Sequence, residues 1–109
     1  MKFGKKYVRR CYNRFKRTYF SDHAMPDFND LDFEFEEAPN EWGSVEWDDD
    51  GLPKLTLHPI TKLYAAALKE TLLHECIHIA LGSKYGHGPK FWKEADRIMG
   101  MRAHKEFFG

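Results

Sequence analysis

Between Thr61 and Leu81 the chain runs through Ala65, Ala66, Ala67, Leu68, Leu72, Leu73, Ile77, Ile79, Ala80 and Leu81, so apolar residues fall on both faces of a helical projection. The segment reads as one helix of about six turns, capped at its start by Thr61 and ended by Gly82. A helix that is apolar on both faces has to be buried. A chain of 109 residues has room for one core. This helix is therefore expected to be the central element of a single domain spanning residues 1–109, with everything else wrapped around it. No apolar run approaches the roughly 20 residues that a membrane helix needs, and no membrane partner is expected.

The flanking segments supply the wrapping. From Lys5 to Phe20, Tyr7, Val8, Cys11, Tyr12, Phe15 and Tyr19 recur at helical spacing with Lys and Arg between them, a basic amphipathic helix. Pro26, Asp27, Asn29 and Asp30 mark a turn. Three strand signals follow. Leu31, Phe33 and Phe35 alternate with Asp32, Glu34 and Glu36; Val45 and Trp47 flank Glu46; Leu55 and Leu57 alternate with Thr56 and His58. Asp48-Asp49-Asp50-Gly51 lies between the last two and suits a hairpin turn. A small three-stranded antiparallel sheet, solvated on one side, is the expectation. Ser83 to Gly88 reads as a loop, and Pro89 opens a C-terminal helix through Phe91, Trp92, Ala95, Ile98 and Met99 to Gly100. The class is α+β.

Polar residues inside the buried helix need a reason. His74-Glu75-Cys76-Ile77-His78 has the pattern HExxH, in which the two imidazoles project from one helix face a turn apart and reach one zinc ion. Glu75 flanks that face, where a carboxylate can take a proton from a zinc-activated water. Chance placement would produce the pattern in roughly one shuffled sequence of this composition in forty, so the motif needs its context. Two His and a Glu on an apolar helix lack partners, and a metal satisfies all three.

A catalytic zinc takes three protein ligands and leaves one position for water. The extended metzincin motif would need Gly at position 81 and His at position 84; this chain has Leu81 and Lys84. Two candidates remain for the third ligand. His87, nine residues after His78 in Gly-His-Gly-Pro, is favoured because flanking glycines would let its loop fold back. Glu94 is the competitor, read as facing solvent beside Lys90 and Lys93. Cys76 reads as a small core residue. His23 and His58 read as surface residues, while Trp42 and Trp47 either line a cleft or cap the sheet.

The run from Glu70 to Leu81, followed by His87-Gly-Pro-Lys-Phe91-Trp92, resembles the SprT-like zinc metallopeptidases, whose pattern is HExxH and then His-Gly-x-x-Phe/Trp opening the next helix. The resemblance extends weakly upstream to Tyr19-Phe20, the Gly43 segment and Leu55-Thr56-Leu57-His58-Pro59, and is specific from Leu73 to Trp92. It implies a zincin-like domain with His74, His78 and His87 as Zn2+ ligands, Glu75 as catalytic base, and a protein or peptide substrate. Family members often add a zinc ribbon of paired cysteines after this domain, and relatives that cleave DNA-crosslinked proteins add DNA-binding segments; neither is seen before Gly109. The oxyanion donor is not identified by the motif, Tyr85 and His104 being weak candidates.

Charge bears on partners. The 17 basic and 17 acidic residues cancel, but in blocks. Eight bases and no acids lie from Lys2 to Arg17, and twelve acids and no bases from Asp22 to Asp50. Lys5, Lys6, Arg9, Arg10, Arg14, Lys16 and Arg17 are therefore candidate nucleic-acid contacts on the first helix. Two rival readings are a nucleic-acid-binding module with a structural zinc and a three-histidine metal-dependent endoribonuclease. Glu75 and the nine-residue spacing to His87 favour the peptidase over the second, and the open fourth position favours it over the first. Cys11 and Cys76 read as reduced thiols, and no secretory signal precedes them. A monomer in the cytoplasm, or the host cytoplasm for a viral chain, is the expectation.

Overall fold

The computed structural model describes residues 3–38, 41–84 and 86–101. Helix α1, Lys5–Tyr19, buries Val8, Cys11, Tyr12, Phe15 and Tyr19 as one stripe, and each such side chain contributes roughly 1.5–3 kcal/mol on leaving water. Its opposite face keeps Lys5, Lys6, Arg9, Arg10 and Arg17 in solvent. The Tyr12 hydroxyl donates to the Pro26 carbonyl at 2.7 Å, which folds the following turn back onto the helix. A short 3-10 helix, Phe28–Asp30, completes that turn.

Three strands follow: β1, Asp32–Phe35; β2, Gly43–Trp47; and β3, Pro53–Leu57. Their spatial order is β1-β3-β2. β2 and β3 form the expected antiparallel hairpin across Asp48–Gly51, where the Asp48 carboxylate accepts from the backbone N–H groups of Asp50 and Leu52, and Gly51 takes a φ of 81°. β1, however, pairs parallel to β3, with Phe33 opposite Leu55 and Phe35 opposite Leu57, so the sheet is mixed and not antiparallel. The reason is burial. β3 carries two fully buried leucines, Leu55 and Leu57, and takes the centre, while the longer link between β1 and β2 lets β2 cross to the far edge.

The long helix also starts differently from the expectation. His58 caps a 3-10 helix, Pro59–Leu63, through Nδ1 accepting from the Ile60 N–H, and the Thr61 hydroxyl donates to the His58 carbonyl. Helix α2 then runs Ala65–Leu81. Pro59 and the two His58 contacts tighten the first turn, so Thr61 ends up inside the 3-10 segment and not as a helix cap. α2 is central, lying against α1, β2, β3 and the last helix, α3, Pro89–Gly100. Leu68, Leu72, Leu73, Cys76 and Ile77 are buried along it. None of the described helices is long and apolar enough to cross a membrane.

Candidate metal centre

His74 and His78 stand one turn apart on α2, and the loop after the helix returns His87 to them. His87 Nε2 lies 3.0 Å from His74 Nε2 and 3.1 Å from His78 Nε2. The ligand atoms of all three fall within 4.8 Å of one another. The turn back is made at Gly82, whose φ of 90° ends α2 in a conformation that a side chain would strain. Gly88, one of the two glycines expected to supply that freedom, has a φ of -78° and does not use it.

One aromatic ring supports the cluster from below. Phe91, 1% exposed near the start of α3, has its centroid 4.8 Å from His74, 4.7 Å from His78 and 4.9 Å from His87. Phe91 thus orients three imidazoles that come from two different segments. Burial and the neighbouring rings lower His74 to about 4, and the same causes lower His78. Burial therefore favours the neutral form of both rings, the form that can bind a metal.

The donor set fits a divalent cation. One ring nitrogen carries a single hydrogen or a single lone pair, so His87 Nε2 can complete a hydrogen bond with one of its two close neighbours and not both. An ion bonded to three lone pairs satisfies every contact. A tetrahedral zinc with Zn–N of about 2.0–2.1 Å would need nitrogens roughly 3.3 Å apart, close to the two spacings that His87 makes with His74 and His78.

Glu75 points from the same helix into the cleft beside this cluster, where Glu41, Trp42, Gly43, Ser44, Val45, Thr71, His74 and His87 form the other walls. It is 4% exposed. Desolvation pushes its carboxyl up to about 7, and the nearby Glu41 charge adds to the effect. A buried carboxylate near neutrality is suited to taking and returning a proton.

Glu94, the competing third ligand, is elsewhere and does not face solvent. Its side chain is 13% exposed, bonded to Arg97 Nε and Nη2 and 3.1 Å from His23 Nε2. The Arg97 guanidinium also donates to the Tyr19 carbonyl, which ties α3 to the end of α1. His23 and His58 therefore act in a tether and a cap and stay away from the cluster. Cys76 is fully buried, with its thiol raised by burial.

Trp42 lines the cleft, while Trp47 borders separate grooves on the hairpin side. Gly43, Thr71 and Glu41 were not foreseen as site residues. For Gly43 the signal was a glycine opening a strand, which marks a close backbone approach. Tyr85 and His104, the candidate oxyanion donors, lie outside the described residues.

Together these features define a small α+β domain whose central helix and following loop bring three histidines to one point where they could hold a metal ion. Residues 8–107 match the model of the SprT-like family, nearly the whole chain, and the protein belongs to that family. No curated protein matches it.

Proposed function

We propose that this protein is a zinc-dependent metallopeptidase that hydrolyses peptide bonds, with His74, His78 and His87 holding Zn2+ and Glu75 as general base. The observation that carries the reading is the convergence of three imidazole Nε2 atoms beside a buried carboxylate in a cleft walled by a sheet edge. Bound zinc supplies a water of lowered pKa and polarises a carbonyl. Glu75 takes the proton of the attacking water and returns it to the leaving amine. β2 pairs with β3 on one side only among the described residues, so its outer edge is available to bind an extended peptide by backbone pairing next to Glu75. Such pairing reads few side chains, which favours broad cleavage controlled by access.

DNA-associated or DNA-crosslinked protein is the substrate class we favour, because Lys5, Lys6, Arg9, Arg10 and Arg17 form an exposed basic face on α1. A structural zinc is less well supported. Such sites are closed by four ligands, whereas three gather here among the described residues. An endoribonuclease reading leaves the buried Glu75 without a role.

Metal content and cleavage of a protein substrate, with and without DNA, test the proposal in wild type, Glu75→Gln and His87→Ala. Glu75→Gln is expected to keep zinc and lose about 10²–10⁴ in kcat. His87→Ala is expected to lose zinc affinity. Full cleavage by a zinc-loaded Glu75→Gln protein would sink the mechanism.

A further inference from the structure

A second, smaller cavity opens off the metal-site cleft. It is bounded by Trp42, Glu70, Thr71 and His74, and it shares Trp42, Thr71 and His74 with the larger cleft, where Glu41 stands. Trp42 leaves 54% of its surface in solvent, and Glu41 and Glu70 are exposed. Neither carboxylate has an ion pair among the described residues, although Lys16 holds Asp27, Lys54 holds Glu34 and Arg97 holds Glu94. An aromatic face with one unpaired carboxylate, Glu70, in a cavity of about 200 Å3 and a second, Glu41, in the adjoining cleft is the chemistry that receives a lysine or arginine side chain. An apolar substrate side chain would cover Trp42 but leave both carboxylates to be desolvated, and an acidic one would be repelled.

We propose that Trp42, Glu70 and Glu41 form a specificity pocket that takes a cationic side chain of the peptide substrate next to the bond being cut. The inference rests on the peptidase reading and deepens it. β2 begins one residue after Trp42, and Gly43 lines the same cleft as Thr71 and Glu75, so a peptide lying along the β2 edge passes this pocket as it reaches Glu75. Backbone pairing sets the direction of the substrate, and the pocket sets the register. The substrates selected are lysine- and arginine-rich chain segments.

The test compares matched fluorogenic peptides that differ at one position, Lys against Gln, on the zinc-loaded protein. The Lys peptide is expected to have a kcat/KM about tenfold higher, mainly through KM. Trp42→Ala and Glu70→Gln should each reduce that ratio, and the double variant should bring it near one. Glu36→Gln, which removes a charge on the sheet face beside Lys54, should leave the ratio unchanged. A wild-type ratio of one, a ratio that survives the double variant, or an equal loss in Glu36→Gln would overturn the proposal. Loss of zinc from Glu70→Gln would do so too, by making Glu70 a support for His74.

A binding measurement separates this pocket from the peptidase reading. In Glu75→Gln protein, the Trp42 indole N–H resonance should shift with the Lys peptide and not with the Gln peptide. Equal responses would overturn the pocket even if cleavage stood. A selective shift without any cleavage by wild type would keep the pocket and sink the peptidase.

Discussion

Gly43 occupies a position that no larger residue can take without moving its neighbours. A Cβ there would sit 2.8 Å from Thr71 Cγ2 and 3.2 Å from both Glu75 Cγ and Leu57 Cδ2. The 2.8 Å approach is closer than carbon atoms pack, and the obstacle is a β-branched side chain on a buried helix, with little freedom to turn away. Gly43→Ala is therefore expected to cost about 1–3 kcal/mol in urea unfolding and to displace the Glu75 carboxylate. Adding Thr71→Ala removes the nearest methyl and should recover part of the loss, the coupling being read from the double-mutant cycle. Strictly additive effects would mean that the contact is relieved elsewhere. The gathering of His74, His78 and His87 was legible in the sequence because metal ligation fixes both residue type and spacing. Gly43 and Glu41 were not, because their places come from β2 and the residues leading into it, packed across the helix, and no local pattern encodes which strand that is.

At the scale of elements, alternation identified all three strands and Asp-Gly the hairpin, because period and turn chemistry are local. Strand order is not local. β1 pairs parallel to β3 because the most buried strand takes the middle, an outcome of competition among strands for the core. The environment of Glu94 was missed for a similar reason: Lys90 and Lys93 are its sequence neighbours, but its partners are Arg97, one turn on, and His23 beyond α1. This tether holds α3, and hence Phe91, beneath the histidines. Hydrogen bonding from Arg97 lowers the Glu94 carboxyl below its ordinary value of 4.5, with the nearby charges of Arg97, His23 and Lys93 acting in the same direction. A lowered folded-state pKa contributes stability that is complete above the unfolded value and is lost as pH falls through the folded one. Wild type should therefore lose this contribution progressively below pH 4.5. Glu94→Gln should be about 1–2 kcal/mol less stable at pH 7, with the gap closing in acid. A gap that stays constant with pH would remove the carboxylate from the tether. Zinc affinity should change little in this variant, in contrast to His87→Ala.

Across the whole molecule, the segregated charge blocks do not simply cancel. Lys16 reaches Asp27 at 2.9 Å, but Glu34 and Glu36 are served by Lys54, from outside the basic block. Lys5, Lys6, Arg9, Arg10 and Arg17 keep no ion pair among the described residues, and they share one helix whose other face is locked into the core. A rigid row of unpaired cations releases counterions when it meets phosphates, so its binding must weaken with salt by a slope that counts contacts, about −0.7 per phosphate for single strands. Replacing all five by Gln leaves the buried stripe of α1 intact, and a thermal melt should move by no more than surface substitutions usually allow. The slope of log Kd against log salt should then flatten by roughly 3 to 4. Cleavage of a free peptide should be nearly unaffected, because none of the five lines the metal-site cleft. Cleavage of a protein held on DNA should fall towards the free-substrate rate, since the DNA would no longer raise the local concentration of protein around the site. An unaltered salt slope after the loss of five charges would place any DNA contact on another surface. An unaltered slope together with unchanged cleavage of DNA-bound protein would leave the basic face with no part in substrate choice.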